Sequence, residues 1–174
     1  MKKPKPLDQE GLMNYAAMAL SARAQSLNEL RTRLKRRAAR QEDVAEVLAR
    51  LKQAGMIDDT RFAGSFANWR RENQGFGKAR VVRDLMARRV APAVAQKAVD
   101  QAYAAVDEVE LIESFLSRKF RGKNLGELLR EPKNLASAYR KLRLAGFSSG
   151  NAIRVLKRYA AEAEQLEDSE ETES

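Results

Sequence analysis

Apolar residues in this chain recur three and four positions apart, and that period commits most of it to amphipathic helices. Nine such segments can be read, and they fall into three triplets. In the middle helix of each triplet, Leu30 and Leu34 correspond to Val81 and Leu85, and then to Ala138 and Leu142. The first core residue of the next helix follows 10, 9 and 11 positions on, at Val44, Val94 and Ile153. The repeat length is 51 residues (Leu34 to Leu85) and then 57 (Leu85 to Leu142). Such a pattern predicts an all-α protein of three tandem three-helix repeats. Each resembles a helix-turn-helix module with a tight turn before its last helix. Units so small have small cores, so neighbours are expected to pack in an elongated, curved array.

The helix boundaries carry their own signals. A first helix is predicted from Asp8 to about Ala22, with Leu12, Tyr15, Ala16, Ala19 and Leu20 on one stripe. Ser26-Leu27-Asn28-Glu29 is a capping box opening a second, lined by Leu27, Leu30 and Leu34. A third runs from about Glu42 to Ala54 with Val44, Val47, Leu48 and Leu51 inward, and Gly55 ends it. Asp58 caps a fourth, whose Phe62, Phe66 and Trp69 are spaced i, i+4, i+7. Gly75-Phe76-Gly77 breaks the chain ahead of a fifth helix (Lys78 to Arg89) with Val81, Val82 and Leu85 buried. Pro92 opens a sixth with Val94, Ala98 and Tyr103. Asp107-Glu108-Val109-Glu110 resembles a second capping box and starts a seventh with Leu111, Phe115, Leu116 and Phe120. Residues 121–131 give no clear signal. Pro132 starts an eighth helix, ended by Gly146, and Ser148 caps a ninth with Ile153, Val155, Leu156 and Tyr159. The expected organisation is a flexible basic arm over 1–7, repeats over 8–55, 56–105 and 106–160, and an acidic, disordered tail over 161–174.

Charge narrows the function. The chain of 174 residues carries 33 Lys and Arg against 24 Asp and Glu, a net charge of +9. The last 14 residues hold seven of the carboxylates and no cation, so residues 1–160 carry 33 basic against 17 acidic groups, a net of +16. Such a body suits a polyanion, or a partner that itself lies on nucleic acid. There is no Cys, which excludes disulfides and thiol chemistry, and no His, which removes the commonest general base and zinc ligand. No apolar run approaches the ~20 residues needed to span a bilayer. No apolar segment follows the basic start, so a secretory signal is not expected and the cytoplasm is the default compartment.

The cations give the candidate contact residues. Arg33, Arg36, Arg37 and Arg40 are spaced i, i+3, i+4, i+7, on one face of the second helix. Arg70 and Arg71 precede the glycine loop, and Lys78, Arg80 and Arg83 follow it. Arg140, Lys141, Arg143, Arg154, Lys157 and Arg158 repeat the theme near the end. A contact role for some of them competes with a merely solvated face. Asp58 and Asp59 read as a helix cap and a first-turn anion rather than a metal or acid–base pair. Phe62, Phe66 and Trp69 read as core rather than a base-stacking platform. Gly75-Phe76-Gly77-Lys78 is a weak phosphate-nest signal without the strand that a nucleotide-binding loop requires.

Three stretches resemble one known family. They are Ala17-Met18-Ala19-Leu20-Ser21-Ala22-Arg23-Ala24-Gln25-Ser26-Leu27-Asn28-Glu29-Leu30-Arg31-Thr32-Arg33-Leu34, then Gly55-Met56-Ile57-Asp58-Asp59-Thr60-Arg61-Phe62-Ala63, then Gly75-Phe76-Gly77-Lys78. In order and spacing they are similar to the RecX family, regulators of the RecA recombinase, over about residues 11–160. The third repeat departs more from the family's pattern than the first two. The resemblance implies a cytoplasmic protein of three tandem three-helix repeats with no cofactor and no chemistry of its own, and a monomer that is not an enzyme is expected. It implies binding in the groove of the RecA–DNA filament, limiting filament growth, ATP hydrolysis and strand exchange. Contact with single- and double-stranded DNA would be weaker or made through RecA. The alternative is a direct DNA-binding protein with tandem helix-turn-helix units.

Overall fold

The computed structural model describes residues 5–160, and they are helical throughout except for turns and one isolated bridge. The helices are α1 (Gln9–Ala22), α2 (Leu27–Lys35), α3 (Glu42–Gln53), α4 (Asp59–Trp69), α5 (Lys78–Ala87) and α6 (Pro92–Ala102). They continue with α7 (Glu108–Lys119), α8 (Leu125–Leu128), α9 (Pro132–Leu144) and α10 (Ser149–Leu156). Two elements go beyond the nine segments expected: α8, a single turn capped by Asn124, and a π-helical turn over Arg70–Gln74 that prolongs α4. The expected disordered tail lies outside the described residues. Only the end of the expected arm lies within them, and there Leu7 is tied down. Its N–H donates to the Arg37 carbonyl at 2.7 Å and its carbonyl accepts from Ala39 at 2.8 Å.

The helices begin where short polar side chains replace the missing backbone partners. Asp8 accepts from the Gly11 amide, and Asp58 from those of Thr60 and Arg61. Ser26 and Glu29 form the full reciprocal capping box. Asp107 accepts from Val109 and Glu110, but the box expected there is one-sided, because the Glu110 side chain does not bond back to the Asp107 amide. Three helices end in the same six-to-one and five-to-two bonded turn. Met56 and Gly55 donate to Leu51 and Lys52, Val90 and Arg89 to Leu85 and Met86, and Phe147 and Gly146 to Leu142 and Arg143. The pivot is left-handed in each, and at Arg89 (φ 60°) it is not a glycine.

The chain divides into two compact units, the division falling within α4, α5 and α6. One holds the residues up to Phe66 together with Asp84–Ala98. Its core is built from Leu12, Ala16, Leu30, Leu34, Val44, Val47, Leu48, Leu51 and Ile57. The expected inward faces of α2 and α3 are those observed, although Leu27, like Tyr15 and Leu20 of α1, is only half-buried. Arg88 binds this unit together. Its guanidinium donates to both Glu29 oxygens (2.7 and 3.1 Å) and lies 5.0 Å from the Phe62 ring centroid and 5.7 Å from that of Phe66.

The other unit holds Ala67–Arg83 and the residues from Val99 onward. Ile112, Leu116, Leu129, Leu135, Ala138, Tyr139, Leu142, Phe147, Ile153, Val155 and Leu156 form its core. Leu129, which follows α8, shows why that turn forms: it anchors residues 121–131 to this core. The Gly75-Phe76-Gly77 break docks against the turn at Gly146. Gly77 N–H donates to Ala145 at 2.9 Å and Ala79 N–H to Gly146 at 3.2 Å. A Cβ on Gly77 would stand 2.6 Å from the Phe147 nitrogen and nearer still to the Gly146 carbonyl. The glycines of this loop therefore serve chain–chain packing, and the phosphate-nest reading has no room there.

Candidate nucleic-acid interface

The expected stripe of Arg33, Arg36, Arg37 and Arg40 is broken, because α2 stops at Lys35. Arg33 donates to Gln25 Oε1 at 2.8 Å and, with Arg37, lies over the Tyr15 ring at 5.7 and 5.2 Å. Arg40 pairs with the buried carboxylate of Asp43 at 2.9 Å, which raises the guanidinium pKa. Arg36 alone of the four is exposed and without a partner among the described residues. Arg33 and Arg37 thus pack over Tyr15 and the exposed Arg40 is tied to Asp43, so the four do not line one continuous helical face.

A different basic feature occupies the same unit. An open groove of about 740 Å³ between α2 and α3 is lined in part by Leu27, Val44 and Leu48 and rimmed by Arg31, Lys35 and Lys52. The i, i+4 spacing of Arg31 and Lys35 was a legible signal for it. Asp58 and Asp59 act as structural anions, the latter accepting from the Leu27 amide at 2.7 Å. Hydrogen bonds from the Arg61 and Thr60 amides hold Asp58 below the usual carboxylate range, outweighing the opposing desolvation.

In the other unit the cations surround Phe76. Arg70 lies 5.6 Å and Arg80 5.4 Å from its ring centroid, and Arg70 also lies 5.9 Å from the Trp69 ring. Arg80 and Arg83, one turn apart on α5, both approach the Leu144 carbonyl at 3.5 and 3.4 Å. Arg71 is committed to the Ala102 carbonyl and to Glu72. Lys78 stands 3.8 Å from Asp100. Tyr103 donates to the Phe76 carbonyl, and burial pushes its hydroxyl up to about 12 against the opposing charge of Arg71. Of the later cations, Arg143 donates to the Phe147 carbonyl at 2.8 Å, Lys141 to Ser137, and Arg158 pairs with Glu113. Arg140, Arg154 and Lys157 are exposed.

Trp69 corrects the reading of α4 as presenting three aromatic core residues. The helix turns inward along Ala63 and Ala67, both fully buried, and at 100° per residue Trp69 falls on the side away from Ala67. Phe62 and Phe66 flank the buried line and are half-covered, whereas Trp69 is 50% exposed. Glu108 was also missed. Burial raises its pKa, but bonds from Ser148 Oγ, Asn151 and the Ser148 amide, with the charge of Lys78, leave it lowered overall. Among the described residues no cluster of three or more Asp and Glu is placed to hold a metal ion, and no helix is long and apolar enough to cross a membrane.

Fold and surface together define a basic, all-helical protein of tandem three-helix bundles. The family pattern described as "RecX, second three-helix domain" matches residues 58–99. The regulatory protein RecX of Pseudomonas entomophila is 30% identical over 145 residues, covering 82% of this chain and 88% of that relative. The one of Mycolicibacterium vanbaalenii is 33% identical over 111 residues, covering 62% of this chain and 58% of that relative. The chain belongs to the RecX family. Its fold is similar to the crystal structure of RecX from Lactobacillus salivarius, with a TM-score of 0.66 over 88% of this chain and 97% of that one, at 16% identity.

Proposed function

We propose that this protein regulates RecA by binding the RecA–DNA filament in its groove. There it bridges successive protomers and limits ATP hydrolysis, filament extension and strand exchange. Family membership supports a regulatory role. The observation that carries the finer reading is that both units present exposed cations that suit a polyanionic assembly: Arg36 and the Arg31–Lys35–Lys52 rim in one, Arg83, Arg140 and Arg154 in the other. Such contacts neutralise phosphate or acidic protein surface without chemistry at the contact. Bridging resists the protomer movement that accompanies nucleotide turnover. We place the protein in the cytoplasm, acting as a monomer.

The test adds the protein to RecA on single-stranded DNA with ATP. Stoichiometric amounts should lower the hydrolysis rate and shorten filaments seen by electron microscopy. Unchanged hydrolysis and unchanged length would refute the proposal. The second reading, direct binding to naked duplex, draws on the same exposed cations. It predicts saturable binding with a salt slope of about −0.9 per neutralised phosphate.

A further inference from the structure

The chain has one tryptophan, and it is exposed where an apolar ring of its size is ordinarily covered. Trp69 ends α4 where the backbone passes into the π-helical turn Arg70–Gln74, a local widening found frequently at functional sites. Its surroundings are cationic. Arg70 lies beside the Trp69 and Phe76 rings, Arg80 lies against the same Phe76 ring, and Arg83 stands one turn further along α5. Of the carboxylates near in sequence, Glu72 is held by Arg71 at 2.6 Å and Asp84 follows Arg83 on α5, so the three arginines outnumber the remaining acid.

An exposed flat ring with guanidiniums at its edge matches single-stranded nucleic acid: an unpaired base offers a π-face and the flanking phosphates offer charge. An acidic protein surface would satisfy the arginines but leaves the exposed indole unexplained. Duplex DNA keeps its bases stacked and would also leave it unused. We propose that Trp69 is a stacking platform for an unpaired base, with Arg70, Arg80 and Arg83 meeting the adjoining phosphates. This goes beyond regulation of RecA and does not depend on it, because the site acts on the strand itself.

Because Trp69 is the sole tryptophan, its fluorescence reports the contact directly. The whole protein is titrated with a 12-residue oligothymidylate in the absence of RecA, following both Trp69 emission and the anisotropy of a labelled strand. Saturable quenching that parallels the anisotropy is expected, weakening with salt at a slope near −0.7 per phosphate. Trp69→Ala should lower affinity about tenfold, Trp69→Phe should keep it within about threefold, and neither should shift the thermal midpoint. Arg83→Glu should reduce the salt slope. Binding without quenching, an alanine variant that binds normally, quenching by poly-glutamate but not by the oligonucleotide, or no binding at low salt would each overturn the proposal. The quenching of the unaltered protein decides the matter even if a variant fails to fold. Inhibition of RecA that persists when the oligonucleotide fails to bind would refute the platform alone.

Discussion

Gly146→Ala isolates the contact that holds the Gly75–Gly77 loop in place. Two costs are added at this residue. Its φ of +90° lies where an L side chain is strained, and its Cβ would stand 2.8 Å from Arg80 Cα and nearer still to the Arg80 amide nitrogen. Both neighbours are backbone, so no side-chain rotation relieves the clash. The left-handed conformation costs about 1–2 kcal/mol, and overpacking against fixed atoms about 1–3 kcal/mol. Gly55 provides the internal control: it pivots the same kind of turn at φ +66°, but a Cβ there meets nothing within 4 Å. Gly55→Ala should therefore lose only about 1 kcal/mol, and Gly146→Ala about 2–5 kcal/mol. Urea unfolding followed by circular dichroism measures both. Hydrogen exchange gives the local reading, since the Gly77 and Ala79 amides that donate to Ala145 and Gly146 should lose protection only in the Gly146 variant. Equal destabilisation of the two variants, or unchanged protection at Ala79, would refute the packing argument.

Arg88→Ala removes a two-bond pair with Glu29 and a cation stacked on two rings, so urea unfolding should show a loss of about 2–3 kcal/mol. Arg89→Gly should raise stability by about 1 kcal/mol, because the left-handed pivot no longer carries a side chain, and a lower urea midpoint would contradict this. Burial raises the pKa values of both Glu29 and Glu108, yet hydrogen bonds and neighbouring charges leave them below the ordinary carboxyl value of 4.5. Their stabilisation is complete above that value and is lost as pH falls through the lowered folded values, since the unfolded chain binds the protons first. Glu108→Gln should flatten part of this acid limb in a pH series of thermal midpoints, leaving the Glu29 part. Charge reversal at Arg36, Arg83, Arg140 and Arg154 together should weaken inhibition of RecA hydrolysis at least several-fold. Stability should hold within about 0.5 kcal/mol per site, and inhibition that is unchanged would remove these residues from the interface.

Much of the fold was legible because local chemistry and global packing agree. Ser26 and Glu29 announced a capping box and form one. Pro92 and Pro132 open the helices they were expected to open, and Gly55 and Gly146 close theirs. The misses share a cause, tertiary structure overriding a local pattern. The run from Arg33 to Arg40 has the composition of a continuing helix. It ends because Leu7 bonds to the backbone around Ala38 and because Asp43 captures Arg40. Nothing in the sequence marks Arg89 as a left-handed pivot, since that position usually holds glycine. Trp69 fits the spacing of Phe62 and Phe66, but the inward line follows the small residues Ala63 and Ala67, which period alone cannot rank above aromatics. Charge and composition pointed to a polyanionic partner. They did not separate packing cations from exposed ones, because a guanidinium over a tyrosine ring and one in solvent look alike in a sequence.

Cosedimentation with RecA assembled on single-stranded DNA, using a non-hydrolysable ATP analogue, bears most directly on the claim that this protein engages the filament. Recovery in the pellet should saturate at a fixed ratio to RecA, and should fall when nucleotide or DNA is withheld and filaments do not form. A protein that stays in the supernatant at every ratio, or that follows naked DNA equally well without RecA, would contradict it.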